Sequence, residues 1–150
     1  MIIKELSDEY FMNEALKQAK VAFEENEIPV GAVVVCDQKI IGRGHNQTER
    51  LNDVTAHAEM IALTSAFNNL GAKYLQNCTL YVTLEPCIMC AGACYWSQLE
   101  KIVFGTKDVK NGFIRKGKDL LHPKTQLVLG ILERECRDLL NEFFQNKRKD

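Results

Sequence analysis

The sequence predicts an α/β fold in which a five-stranded mixed sheet carries helices on both faces. Segments with helical periodicity alternate with short apolar segments of strand-like composition, and this alternation is typical of layered α/β domains. The predicted order is helix, hairpin, helix, strand, helix, strand, strand, helix. The chain has 150 residues, 46% of them hydrophobic, which suffices for one core and predicts a single domain over residues 1–150.

The first helix is predicted to begin directly after Ser7. A serine before Asp8 and Glu9 is a typical helix start, because its hydroxyl caps free N–H groups while the acids suit the positive end of the helix dipole. Apolar residues then recur at helical spacing, at Phe11, Met12, Ala15, Leu16, Ala19, Ala22 and Phe23. This stripe predicts one buried face.

Five segments are predicted to be strands. The first two, VGAVVVC (30–36) and KIIGRG (39–44), are separated only by Asp37 and Gln38, which predicts a hairpin. The other three are TLYVTLE (79–85), KIVFG (101–105) and TQLVLG (125–130).

Three further helices are predicted. The second begins near Thr55 and ends at Gly71, since glycine commonly stops a helix. Its core face is expected to consist of Met60, Ile61, Thr64, Phe67 and Leu70, with His57 on the same side. The third has Pro86 at its first position, where the missing N–H costs nothing. The last runs from about Ile131 to Lys147, with Leu132, Cys136, Leu139, Leu140, Phe143 and Phe144 on or near its apolar side.

Composition predicts a cytoplasmic protein. The first ten residues contain no cationic region followed by an apolar stretch, so no secretion signal is expected. No apolar run approaches the ~18 residues that a membrane span requires. The six cysteines are therefore expected to stay reduced and not to form a disulfide framework.

Charge is unevenly distributed along the chain. The net charge of −1 argues against binding nucleic acid mainly through a bulk positive field. The segment 107–118 nevertheless contains five basic residues and one acid, Asp108, and the chain ends with Lys147, Arg148 and Lys149 among its last four residues. Two interpretations remain open, a solvated surface or a local contact with an anionic partner.

The strongest chemical signal combines His57 and Glu59 with Cys87 and Cys90. The two cysteines lie about one turn apart at the start of a predicted helix, where thiolates are favoured, and His57 opens another helix. Three such ligands suit a zinc ion whose fourth position stays open for water, and zinc lowers the pKa of that water to about 7. Glu59 is predicted to carry protons and not to bind the metal.

Several alternatives accompany this interpretation. A Cys-x-x-Cys pair also suits redox chemistry, and Cys94, one turn after Cys90, could close the site as a fourth ligand. His45 and His122 lie in predicted loops and are interpreted as structural. Three cysteines in apolar segments are interpreted as core residues, namely Cys36, Cys78 and Cys136.

The motif His-x-Glu followed by Pro-Cys-x-x-Cys is the signature of zinc nucleobase deaminases. It occurs here in TAHAEMIAL (55–63) and TLYVTLEPCIMCAGA (79–93). Together with VGAVVV, Asn46, FGTKD and the terminal EFFQNKR, nearly the whole chain resembles the bacterial tRNA-specific adenosine deaminases, of the zinc-dependent cytidine/deoxycytidylate deaminase superfamily.

The resemblance implies a cytidine deaminase-like three-layer fold and conversion of adenosine to inosine at the tRNA wobble position. It implies one Zn²⁺ per subunit, held by His57, Cys87 and Cys90, with Glu59 as the proton carrier. Substrate contacts are expected from Asn46, Ala58, Asp108, Lys110 and Phe144. A homodimer that binds the tRNA anticodon loop is also expected.

Two other functions stay open at this point. The near-neutral charge and the aromatic pair Tyr95 and Trp96 favour a deaminase of a free base or nucleoside, such as guanine or cytosine. A non-enzymatic zinc module is the third possibility, but such a module would not need Glu59.

Overall fold

The computed structural model describes residues 5–148. The elements in chain order are α1 (Asp8–Glu24), β1 (Gly31–Cys36), β2 (Lys39–His45), α2 (Ala58–Leu70), β3 (Cys78–Leu84), α3 (Ile88–Ser97), β4 (Lys101–Thr106), β5 (Gln126–Leu129) and α4 (Glu133–Arg148). This order confirms the α/β prediction. Two single-turn 3-10 helices, Phe113–Arg115 and Lys118–Leu120, lie between β4 and β5 and were not predicted.

The sheet is mixed, with the strand order β2-β1-β3-β4-β5. Strand β1 is antiparallel to β2 and to β3, whereas β3, β4 and β5 are mutually parallel. Because Gly31 pairs with His45 and Ala32 pairs with Val82, β2 and β3 end at the same edge of the sheet. Strand β4 ends there as well, since Leu84 pairs with Thr106. The segments that follow three strands therefore leave the sheet side by side.

Alternating strand residues supply two cores, one on each face of the sheet. Val33, Val35, Tyr81 and Val103 pack with α1 and with Cys136 of α4. The residues next to them in sequence point to the opposite face, where α2 and α3 pack on them: Ala32, Val34, Leu80, Val82, Ile102 and Phe104. The result is the three-layer arrangement expected from the resemblance.

The prediction for the inward face of α2 was right for Phe67, which is partly buried and packs against the core, and wrong for the other four residues. The buried residues of this helix are Ala58, Glu59, Ala62, Leu63 and Ala66, while Thr64 and Leu70 are exposed. The cause is in β2, where a Cβ at Gly42 or Gly44 would collide with the carbonyl oxygens of Ala62 and Ala58. The helix lies so close to the strand that only small side chains fit between them, and Met60 and Ile61 are turned toward the surface.

The starts of the two helices nearest the predicted metal site also differ from the prediction. Helix α2 begins at Ala58, with His57 as its extended N-cap residue, and not near Thr55. Helix α3 begins at Ile88 with Cys87 as N-cap, so Pro86 precedes the cap and does not occupy the first helical position. Gly71 ends α2 in the left-handed conformation, as predicted.

No helix within residues 5–148 is long and apolar enough to cross a membrane. Of the basic residues near the carboxyl end, Lys147 and Arg148 lie in the last turn of α4, whereas Lys149 lies outside the described residues.

Candidate metal centre and active site

The candidate site lies at the edge of the sheet where β2, β3 and β4 end. His57 follows the loop after β2, and Cys87 and Cys90 follow β3 across Pro86. Because His57 and Cys87 are the N-caps of α2 and α3, the positive ends of both helix dipoles face the same point. The fold thus brings together residues that are 30 positions apart in sequence.

The three predicted ligands form a compact group, here called the metal triad (His57, Cys87 and Cys90). Their ligand atoms all lie within 4.8 Å of one another. The Nδ1 atom of His57 is 3.6 Å from the sulfur of Cys87 and 3.5 Å from that of Cys90. Within residues 5–148 it is the one such group of potential ligands.

These distances fit a tetrahedral zinc ion. Zinc bonded to nitrogen at about 2.0 Å and to sulfur at about 2.3 Å places the two atoms roughly 3.5 Å apart at tetrahedral angles. The donor set of one imidazole and two thiols also suits zinc, and it provides three of the four ligands of a tetrahedral site. The metal triad therefore fits three of the four positions around a tetrahedral zinc ion.

The surroundings of the two thiols favour a thiolate at Cys87. A hydrogen bond from the Cys90 thiol, together with His57, lowers the pKa of Cys87 to about 4, so Cys87 is a thiolate at neutral pH. The same hydrogen bond and burial raise the pKa of Cys90. Hydrogen bonding to Cys87 raises the pKa of His57. A bound cation would displace the protons that Cys90 and His57 retain.

Glu59 lies beside the metal triad but does not belong to it. Its side chain is 4% exposed. Burial raises the pKa of Glu59 to about 7, which is the range in which a carboxyl can both accept and return a proton at neutral pH. Because His57 precedes the helix in an extended conformation, the two side chains reach one site although they are only two residues apart.

The remaining cysteines and histidines have other environments. Cys94 is buried, and burial raises its pKa above the ordinary range of a thiol; it is not part of the metal triad. Cys78 and Cys136 are buried as predicted, while Cys36 is partly exposed. The Nε2 atom of His45 lies 3.0 Å from a carboxylate oxygen of Glu25. In His122, Nδ1 accepts a hydrogen bond from the Lys124 amide.

Two of the predicted substrate residues, Ala58 and Asn46, are buried and adjoin α2 and β2. Ala58 is fully buried at the first position of α2. Asn46 is 7% exposed and immediately follows β2. Its side-chain amide donates to the carbonyl of Ile28 at 3.2 Å and accepts from the amide of Thr48 at 3.3 Å. These two bonds fix the side chain and leave one N–H of the amide for a further partner.

The other predicted substrate residues lie on the basic segment after β4 and on α4. Asp108 caps a tight turn, since its carboxylate accepts from the amides of Lys110 and Asn111 at 3.1 and 3.0 Å. Lys110 is exposed on that turn. Phe144 is 43% exposed on α4 and its ring packs edge-on against the ring of Phe143.

The basic segment is an ordered loop, here called the basic loop (residues 107–118). It begins where β4 ends, at the same edge as the metal triad. Arg115 is held to the loop itself, because one guanidinium nitrogen donates to the carbonyls of Val109 and Lys110 at 2.9 and 2.8 Å. Lys110 and Lys116 are exposed and have no ion pair among the described residues.

Two buried carboxylates near the site were missed at the sequence level. Glu27 is 1% exposed, and its oxygens accept from the amides of Glu49 and Arg50, in the loop that leads to His57. Glu85 is 5% exposed and contacts the basic loop. The one available signal was the position of Glu85 at the end of an apolar strand, where a charge requires a partner.

Comparison with known proteins identifies a matching family model. Residues 6–106 match the cytidine and deoxycytidylate deaminase zinc-binding region. A curated tRNA-specific adenosine deaminase of Aquifex aeolicus is 44% identical over 150 residues, covering 97% of this chain and 99% of that protein.

Solved structures give two similar results. A structure from a study of A-to-I editing by tRNA:A34 deaminases at the wobble position has a TM-score of 0.81 and 38% identity, covering 87% of this chain and 98% of that one. A guanine deaminase from Bacillus subtilis also has 38% identity, but its TM-score is 0.65, with 68% and 66% of the two chains covered. The similarity to the first extends over more of both chains.

Proposed function

The chain belongs to the tRNA-specific adenosine deaminases of the cytidine and deoxycytidylate deaminase family, and we propose that it converts adenosine to inosine at the wobble position of a tRNA anticodon. The observation that carries the chemical part of this proposal is the metal triad with the buried Glu59 beside it. A structural zinc site would be closed by a fourth side chain and would have no use for a proton carrier.

The reaction adds water across the C6–N1 bond of adenine and then releases ammonia. Zinc held by His57, Cys87 and Cys90 would activate the water for attack on C6. Glu59 would accept a proton from the attacking water and give it to N1 of the ring. It would then take the proton of the new C6 hydroxyl and give it to the departing amine, so that the C6–N bond to the amine breaks, ammonia leaves and a C6 carbonyl remains. The free amide N–H of Asn46 would hydrogen-bond to the base.

An RNA substrate also requires contacts around the reacting base. A base stacked in an anticodon loop must be turned out to reach a recessed site, and its flanking phosphates then need cations near the entrance. The basic loop supplies exposed lysines at the edge of the sheet where the metal triad lies. Phe144 offers an exposed ring on which a base could stack.

Deamination of free guanine is the second candidate function, because the Bacillus subtilis guanine deaminase has the same identity to this chain as the tRNA:A34 deaminase structure. The test incubates zinc-loaded protein with a tRNA that carries a wobble adenosine and, separately, with guanine. We expect inosine in the tRNA and negligible ammonia from guanine. Rapid release of ammonia from guanine, with the tRNA unchanged, would establish the second candidate instead.

Replacing Lys110 and Lys116 with Gln tests the RNA contact of the basic loop. Each lysine that meets a phosphate releases a counterion, so the double variant should bind tRNA more weakly and reduce the slope of log K against log salt by roughly 1.5. Binding is measured by fluorescence anisotropy between low and moderate salt. The matched control replaces Lys39 and Lys73, which are exposed and lie near the opposite edge of the sheet, and should keep the wild-type slope. Equal slopes in all three proteins would show that Lys110 and Lys116 face solvent and do not contact tRNA phosphates.

We also propose a homodimer, and the outer face of the α2 layer supports it. A groove on this face contains Met60 and Ile61, which the close packing of α2 on β2 turns outward. Nearby apolar side chains are strongly exposed, including Val54 at 83% on the preceding loop and Trp96 at 76% on α3. An apolar surface of this kind is typical of an interface.

The dimer is tested by sedimentation of a variant carrying Ile61→Lys and Trp96→Lys. Wild-type protein should sediment as a dimer at micromolar concentration, and the variant as a monomer. Val21→Lys, at a 41% exposed position on α1 in the opposite layer, serves as the control and should remain dimeric. A monomeric wild type would refute the proposal.

One zinc ion per chain and a cytoplasmic location complete the proposal. The single metal triad among residues 5–148 supports the stoichiometry, which elemental analysis of purified protein measures.

All six cysteines are free, and a zinc site of this kind requires reduced thiols, which supports a cytoplasmic location. The tRNA substrate is found in the same compartment, and cell fractionation should recover the protein there.

A further inference from the structure

The carboxylate of Glu85 connects the segment between β3 and α3 to the basic loop. Glu85 is the second residue before Cys87, and its side chain is 5% exposed. Its Oε1 accepts a hydrogen bond from the amide of Asp108 at 3.1 Å, and its Oε2 accepts one from the amide of Ile114 at 2.9 Å. One side chain therefore holds two points of the basic loop that are six residues apart.

The polar partners of this carboxylate are backbone groups. No ion pair among the described residues includes Glu85. Burying a carboxylate is costly unless hydrogen bonds compensate for the lost water, and charge-assisted bonds to N–H groups do so. An apolar residue could fill the same space but could not hold two amides. The buried negative charge of Glu85 is therefore explained by its two hydrogen bonds to the backbone of the loop.

The loop is folded tightly around this side chain. A Cβ at Gly112 would collide with the carboxylate of Glu85, so the glycine permits the close approach. Two backbone bonds extend the connection, from the amide of Phe113 to the carbonyl of Pro86 at 3.0 Å and from the amide of Glu85 to the carbonyl of Thr106 at 2.8 Å. The position of the basic loop is therefore set directly by the residues that precede the metal-binding cysteines.

We infer that Glu85 is a positioning residue for RNA, which holds the basic loop so that Lys110 and Lys116 meet phosphates flanking the base in the active site. The inference rests on the proposed function. Glu85 acts through the loop and does not touch the reacting base. Its replacement should therefore weaken tRNA binding without removing the chemistry.

The test compares wild type with Glu85→Gln, which keeps the volume but replaces one acceptor oxygen with an amide NH2 group that only donates. One of the two loop amides then loses its acceptor, and we expect the KM and Kd for tRNA to rise about tenfold while kcat at saturating tRNA changes by less than about threefold. Zinc content should stay at the wild-type value. Glu100→Gln, an exposed position at the start of β4 and so at the other edge of the sheet, should leave KM unchanged.

A double-variant comparison separates positioning from a general loss of stability. In a background that already carries Lys110→Gln and Lys116→Gln, the further change Glu85→Gln should have little additional effect on tRNA affinity, since both act through the same contacts. Effects that add fully would overturn the inference. Gly112→Ala, which displaces the loop without changing charge, should reproduce the rise in KM. If Glu85→Gln fails to fold, Gly112→Ala takes its place in the test.

The two levels of the proposal fail in different ways. Wild-type protein that forms no inosine in tRNA would refute the proposed function. Wild-type protein that forms inosine, with Glu85→Gln and Gly112→Ala both binding tRNA at wild-type affinity, would refute only the role of Glu85.

Discussion

Replacing Glu59 with Gln is expected to abolish turnover while zinc content stays at the wild-type value. Glutamine preserves the shape of the side chain and can still form hydrogen bonds, but it cannot accept a proton at neutral pH. Because general acid–base catalysis typically contributes 10²- to 10⁴-fold and Glu59 serves both proton transfers, we expect kcat to fall by about 10³-fold or more. The measurement is inosine formation in a wobble-adenosine tRNA, paired with elemental analysis of the same protein.

The structural basis of this expectation is the separation of the two roles. Glu59 is buried and lies outside the metal triad. A glutamine variant that loses zinc as well as activity would show that Glu59 is a ligand. A variant that retains near wild-type kcat would show that another group carries the protons. Binding of tRNA should be affected little, since the basic loop is unchanged.

Replacing Cys90 with Ala is expected to remove both the metal and the activity. Loss of an outer partner of a metal ligand typically weakens metal affinity 10- to 100-fold, so loss of one of three protein ligands should weaken it by more than about 100-fold. The protein should remain folded, because both hydrophobic cores are formed without the metal triad, although its melting temperature should fall. Metal affinity is measured by competition with a zinc chelator, and folding by circular dichroism.

Cys94→Ala provides the matched control for this experiment. Cys94 lies one turn beyond Cys90 on α3 and is equally buried, but its sulfur is not part of the metal triad. The control variant should bind zinc and deaminate tRNA like wild type. Loss of zinc in Cys94→Ala would mean that the site is closed by four protein ligands and has no position for water.

The parts of this molecule that sequence predicted well are those encoded locally. The cap at Ser7, the hairpin turn at Asp37 and Gln38 and the stop at Gly71 each depend on a few adjacent residues, and the structure contains all three. The two cysteines of the metal triad were also predictable in this way, because the Cys-x-x-Cys spacing places both sulfurs at one helix start whatever the rest of the fold does, whereas His57 joins them only through the fold.

The errors and omissions depended on contacts between distant segments. The inward face of α2 is set by Gly42 and Gly44, which admit only small residues, and the pattern of the helix itself favoured its larger side chains. Glu85 bonds to amides 23 and 29 residues away, so a sequence offers no direct sign of its partners. A glutamate is interpreted as a surface residue until the structure shows which backbone groups surround it.

X-ray absorption at the zinc edge of the purified protein tests the central claim most directly, because it counts the sulfur atoms bound to the metal. One zinc ion per chain, with two sulfur ligands and two lighter ligands, is the predicted result. A third sulfur ligand, or protein purified without zinc that also fails to bind it when supplied, would contradict the account of a three-residue catalytic site.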